Sequence, residues 1–86
     1  MTLFQERVYK VVSKIPKGKF MTYAQVAKKA GFPRAWRAVG SALNKNPNPI
    51  IVPCHRVVKS NGEIGGYRFG TNKKISLLAR EGVKIR

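Results

Sequence analysis

The chain has 86 residues, with 18 Lys+Arg against three Asp+Glu, for a net charge of +15. That length gives one small domain. One cysteine and one histidine exclude an internal disulfide and a four-ligand structural zinc site, and no apolar run is long enough to span a membrane. A charge this large and one-sided repels itself, so the natural partner is a polyanion: nucleic acid first, an anionic membrane surface second.

Thr2-Leu3-Phe4-Gln5 reads as a capping box, and Phe4, Val8, Val11, Val12 and Ile15 recur at helical spacing behind it. A first helix is expected to about Lys14, stopped by Pro16 and Gly18. Thr22-Tyr23-Ala24-Gln25 is a second capping box, opening a short helix through Val26 and Ala27 that Gly31 closes. Pro33 suits the first turn of a third helix reaching about Asn44. Two short helices joined by Gly-Phe-Pro form a helix-turn-helix pattern.

In the third helix Trp36, Val39 and Leu43 make an apolar stripe expected to pack inward. The other face carries Arg34, Arg37, Ala38, Ser41 and Asn44, basic at its start and small in the middle. Small outward residues let a helix approach a widened minor groove. The alternative is a solvated basic face. The helix-turn-helix context and the net charge favour DNA.

Asn46-Pro47-Asn48-Pro49 reads as a stiff loop, and Ile50-Ile51-Val52 as a short extended, buried segment between prolines. Ser60-Asn61-Gly62, flanked by Arg56 to Lys59 and Glu63 to Gly66, signals a β-hairpin. Thr71 is placed to cap a last helix bearing Ile75, Leu77, Leu78 and Ala79 and ended by Gly82. The expected fold is α+β and mainly helical, a winged helix-turn-helix-like single domain over residues 1–86 with a small hairpin wing.

Pro53-Cys54-His55-Arg56-Val57 holds the chain's sole cysteine beside its sole histidine. A free thiol has a pKa of about 8.5, so only a few per cent is thiolate at neutral pH. Imidazole, lysine, arginine or a helix N-terminus nearby favours the thiolate. Glu81 falls in the last turn of the last helix, where a carboxylate opposes the helix dipole at a cost of about 0.3–1 kcal/mol. A hydrogen bond from His55 would offset this and make Glu81, His55 and Cys54 a thiol-activating triad. Set against that reading, a lone cysteine is commonly a small buried hydrophobe, and Glu81 could be a surface residue near Arg80 and Lys84.

These motifs together resemble the catalytic C-terminal domain of the O(6)-alkylguanine-DNA alkyltransferases. The resemblance rests on Pro53-Cys54-His55-Arg56-Val57, with Thr22-Tyr23-Ala24-Gln25-Val26-Ala27, Arg37-Ala38-Val39-Gly40, Asn46-Pro47 with Pro49-Ile50, Gly65-Gly66-Tyr67 and Leu78-Ala79-Arg80-Glu81-Gly82 in order around it. It implies a direct, irreversible, single-turnover transfer of the alkyl group from O(6)-alkylguanine to Cys54, without cofactor or metal. By the same resemblance His55 takes the thiol proton through a water and Glu81 orients it. Tyr23 protonates the departing guanine, and Asn46 braces the active-site turn. Arg37 enters the base stack, and Ala38 sits against the minor groove. Pro49, Val57, Tyr67 and the backbone around Arg68 line the pocket, with Phe69 near it. The implied partner is double-stranded DNA holding alkylated guanine, met by an intracellular monomer (cytoplasmic or nucleoid-associated) away from membranes. Most family members carry an additional N-terminal domain. This chain is expected either to be a natural single-domain form or to act with a separate or fused partner domain.

Two competing readings belong to other classes. Alkyltransferase-like proteins share the fold, bind lesions without chemistry and characteristically lack the acceptor cysteine, so Cys54 argues against them. A sequence-reading winged-helix regulator would need base-reading groups such as Asn and Gln, in which the outward helix face is poor.

Overall fold

Both capping boxes close as the sequence predicts, and they set the starts of the first two helices. The computed structural model describes residues 2–46, 48, 51–60, 64–65, 67 and 70–83. Thr2 Oγ1 accepts from Gln5 N at 3.1 Å while Gln5 Oε1 accepts from Thr2 N at 3.0 Å. The Thr22 and Gln25 pair repeats the arrangement at 3.1 and 2.9 Å. Helix α1 spans Leu3–Ser13 and buries Val8, Tyr9 and Val12; α2 spans Tyr23–Lys29 and buries Val26 and Ala27.

Helix α3, Trp36–Asn44, ends where predicted but starts later than Pro33, which lies in the turn before it. It packs on α2, and both pack on α1. The Tyr9 hydroxyl donates to the Ala42 carbonyl at 2.6 Å, pinning α1 to α3, and Phe4 meets Phe32 edge to face at 5.2 Å. The stripe on α3 is only partly as expected. Val39, Ala42 and Leu43 are buried, but Trp36 is 48% exposed. Trp36 is the helix's first residue, so its angular position on the apolar face does not bring it over the core.

A two-residue strand β1, Met21–Thr22, pairs in parallel with β2, Val57–Val58, in the register Met21 to Val57 and Thr22 to Val58. This long-range pairing sets the segment after the cysteine against the entrance to α2. The predicted hairpin tip, Asn61-Gly62, lies outside the described residues. The Ile50-Ile51-Val52 expectation needs correction. Val52 is buried, but Ile51 sits in a turn and is 66% exposed, because Val52 N bonds back to Asn48 O and curls the segment.

The final helix α4, Thr71–Arg80, is not capped by Thr71. Its N-cap is Gly70 at φ +102, and Thr71 is the first helical residue. It buries Leu78 and Lys74 rather than Ile75 and Ala79, which face water. Its end is a Schellman closure: Val83 N donates to Leu78 O at 3.0 Å and Gly82 N to Ala79 O at 3.1 Å. Gly82 sits at φ +80, a conformation that a side chain disfavours, and the closure fixes Glu81 as the helix's last cap. Among the described residues no helix is long and apolar enough to cross a membrane.

The loop leading to the cysteine is held by Asn46, which is buried. Its Nδ2 donates to Val52 O at 2.8 Å and its Oδ1 accepts from Asn48 N at 3.0 Å. One side chain thus bridges both ends of a six-residue loop. Asn46→Ala removes both of these loop contacts, leaving Val52 O to the Cys54 amide, and should destabilise the fold by about 1–3 kcal/mol, measured as a lowered midpoint in urea unfolding. Unchanged stability would show that the bridge is dispensable.

Candidate active site

Cys54 opens a one-turn 3-10 helix, Cys54–Arg56, directly after Pro53. Its amide donates to Val52 O at 2.8 Å, and Arg56 N donates to Pro53 O at 2.9 Å. The proline, with no amide hydrogen and a restricted φ of −75°, is thus the natural hinge into a tight turn. Cys54 is 4% exposed and packs among core residues, as the reading of a small buried residue expects, and polar side chains also act on it.

Those groups come from three segments. The Tyr67 hydroxyl is hydrogen-bonded to Cys54, and burial, with the charge of Cys54 behind it, raises the Tyr67 pKa above its ordinary value. Burial and the same charge raise Tyr23 likewise. Gly65, at φ +76, lies so close to Tyr23 that a Cβ there would stand 3.0 Å from its hydroxyl. Lys74 is fully buried; its Nζ donates to Val57 O at 2.6 Å and lies 5.7 Å from the Tyr23 ring centroid. Burial lowers its pKa from 10.5 to about 8, while a negative Cys54 pulls it back up. The ammonium therefore keeps its proton at neutral pH.

His55 and Glu81 meet as the sequence predicts, Nε2 to Oε2 at 3.2 Å. Burial lowers the His55 pKa below 6.5, outweighing the hydrogen bond and charge of Glu81, so the ring is neutral at pH 7. With Nε2 carrying the proton toward the carboxylate, Nδ1 is left as an acceptor. That atom is buried and has no hydrogen-bond partner among the described residues.

Sequence reasoning missed two residues. Arg56 grips Glu81 with both arms, Nε to Oε1 at 2.9 Å and Nη2 to Oε2 at 2.6 Å, while Nη1 donates to Ile15 O at 2.8 Å. The guanidinium, then the imidazole, holds the Glu81 carboxyl at about 2 against an ordinary 4.5. Lys74 was hidden in a polar run. The available signal was its position four residues before Leu78, on the same helix face.

Of the other predicted site residues, Arg34, Arg37, Ala38 and Ser41 are exposed on or just before α3. Arg37, Tyr23, Ala24, Trp36, Gly40, Lys59 and Ser60 line a cleft of about 560 Å³. Val57 is fully buried, its side chain in the core. Pro49, Arg68 and Phe69 lie outside the described residues.

The Arg56 contact makes a prediction about acid. Glu81 binds its proton less readily folded than unfolded, so its contribution is full above about pH 4.5 and is lost as pH falls toward 2. Arg56→Leu should cost about 2–3 kcal/mol at pH 7, flatten that acid-range decline and return the carboxyl toward 4.5. Urea unfolding across pH and an NMR titration of the Glu81 side-chain carbon measure both. A carboxyl still titrating near 2 would refute the assignment.

Residues 3–83 match the family model described as the DNA binding domain of 6-O-methylguanine DNA methyltransferase. The chain is 55% identical over 82 residues to the methylated-DNA–protein-cysteine methyltransferase of Saccharolobus islandicus, covering 95% of this chain and 52% of that protein. It is 46% identical over 84 residues to that of Methanothermobacter thermautotrophicus, covering 98% and 47%. The chain thus spans about half the length of these relatives. Among solved structures, Mycobacterium tuberculosis OGT in complex with DNA superposes with a TM-score of 0.91 at 47% identity, over 94% of this chain and 50% of that one. S. pombe Atl1 in complex with damaged DNA containing O6-carboxymethylguanine superposes with a TM-score of 0.88 at 35% identity, over 100% and 82%. Capped helices, a cysteine set among polar groups and a matching sequence from end to end converge: the chain belongs to the DNA-binding-domain family of the 6-O-methylguanine DNA methyltransferases.

Proposed function

We propose that this chain repairs DNA by moving the alkyl group of O6-alkylguanine onto Cys54 in a single, irreversible turnover. The observation that carries the reading is the charge arrangement at Cys54. A buried ammonium from Lys74 and two tyrosine hydroxyls surround a thiol whose neighbouring imidazole is neutral and has an acceptor nitrogen to spare.

The thiol proton passes through a water to His55 Nδ1, which does not itself hydrogen-bond the sulfur, and Glu81 stabilises the imidazolium through Nε2. The Cys54 sulfur attacks the alkyl carbon; the S–C bond forms as the C–O6 bond breaks. The electron pair departs with guanine, and the Tyr23 hydroxyl, kept protonated by its raised pKa, supplies the proton that neutralises it. Lys74 holds positive charge against the sulfur before attack. Its side chain is too buried for solvent to screen, and its Nζ donates to the Val57 carbonyl, a neutral acceptor. Asn46 holds the loop that sets the cysteine. The product thioether has no leaving group that this site can activate, which makes the protein a stoichiometric reagent.

Reaction at a paired base is sterically closed, so the target nucleotide must leave the stack. The exposed face of α3 is the surface offered to duplex DNA, with Arg37 entering the vacated position and Ala38 and Ser41 allowing close approach. A double-stranded partner also accounts for the net charge of +15. A second reading, lesion binding without transfer, draws on the superposition with Atl1, which this chain covers over most of that protein's length. Cys54 and its charge environment favour transfer.

A duplex carrying O6-methylguanine, incubated with the protein and followed by intact-mass measurement, should yield one added methyl located on Cys54 and none in Cys54→Ser. Binding with no mass gain would favour the second reading. The rate of that transfer should also fall as Lys74 loses its proton above about pH 8. Lys74→Met should lower the neutral-pH rate at least about tenfold, equivalent to 1.4 kcal/mol, and remove the alkaline decline. A rate profile unchanged in the variant would exclude Lys74 from the step.

A further inference from the structure

Trp36 is the anomaly of α3. Helical spacing puts it on the stripe with Val39 and Leu43, yet those two are buried and it stands 48% exposed. It lines the cleft shared with Tyr23, Arg37 and Lys59. The Arg37 guanidinium lies over its ring, 5.0 Å from the centroid. A large aromatic left in water beside cations has two kinds of surface to offer, an apolar plane and a bound positive charge. Nucleic acid presents the matching pair, base and sugar edges next to phosphate.

We propose that Trp36 is a further DNA-contacting residue, its indole packing against the sugar and base edges beside the nucleotide whose place Arg37 takes. This rests on the reading that α3 faces the duplex. In the free protein the indole holds the guanidinium at the surface of the cleft. As Arg37 moves into the DNA, it uncovers the ring plane, and DNA replaces one stacked contact with another. Lys59, which lines the same cleft, supplies charge for the flanking phosphate.

The chain has a single tryptophan, so its fluorescence reports this residue alone. Titrating the full chain with undamaged duplex should quench the emission and reduce acrylamide access to the indole several-fold. Trp36→Ala should weaken duplex binding about tenfold, and Trp36→Phe should recover most of the loss, since either ring stacks. An indole equally open to acrylamide in the saturated complex, or Trp36→Ala binding as tightly as the unaltered chain, overturns the proposal. Should Trp36→Ala fail to fold by circular dichroism, the acrylamide measurement on the unaltered chain decides alone. Methyl transfer to Cys54 is read separately by mass: its absence alongside a protected indole would sink the repair chemistry and leave this contact standing.

Discussion

A carboxylate held between a guanidinium and an imidazole at the C-cap of a helix is the contact on which the site depends. Glu81 sits where the helix dipole opposes a negative charge, a penalty of about 0.3–1 kcal/mol. Two charge-assisted bonds from Arg56 more than offset it, since such bonds are shorter and stronger than neutral ones. The same guanidinium reaches the Ile15 carbonyl, so one side chain ties the end of α1, the cysteine turn and the end of α4. Remove it and three segments distant in sequence lose their common anchor. The Schellman closure at Gly82 serves this arrangement as well, because it decides where Glu81 stops.

Charge is divided inside the fold. Arg56 satisfies Glu81, so the carboxylate orients His55 without taking its proton, and burial keeps the ring neutral. Lys74 donates to a backbone carbonyl, which accepts a hydrogen bond without cancelling a positive charge. A buried lysine costs stability while it is charged. Because burial lowers its folded pKa, that cost is present below about pH 8 and is relieved as pH rises toward 10.5. The fold therefore carries an electrostatic burden at neutral pH, as sites poised for chemistry commonly do.

What the sequence made legible was local. Thr2, Gln5, Thr22 and Gln25 announce helix starts through contacts three residues apart, and Gly31 and Gly82 announce ends through their tolerance of positive φ. The pairing of His55 with Glu81 was legible because an acid at a helix C-terminus needs a reason. Arg56 and Lys74 were not, for a physical cause. Each acts across a gap in sequence, on Glu81, Ile15 or Val57, and periodicity within one element carries no information about which partner another element brings. Trp36 and Ile51 fail for the complementary reason. Hydrophobic spacing says which face a residue occupies, not whether the element's end overhangs the core. The parallel pairing of β1 with β2 joins two-residue strands too short to show a period.

The cations that remain outside the site have little acid to meet. Glu6 is exposed on α1 and Glu81 is committed to Arg56, so most of the 18 basic side chains repel one another across a small body. Hydrophobic burial must hold the fold against that repulsion, and a small domain buries a smaller fraction of its surface than a large one. A polyanion laid along the surface removes the repulsion and, by linkage, adds its own binding free energy to the folded state alone. Charge that weakens the free protein thus strengthens the complex. On the proposed reading, the neutral, small centre of α3, with Ala38, Gly40 and Ser41, is what would let a duplex come near enough to collect that energy, because contact with phosphates on either side requires that nothing bulky stand between them.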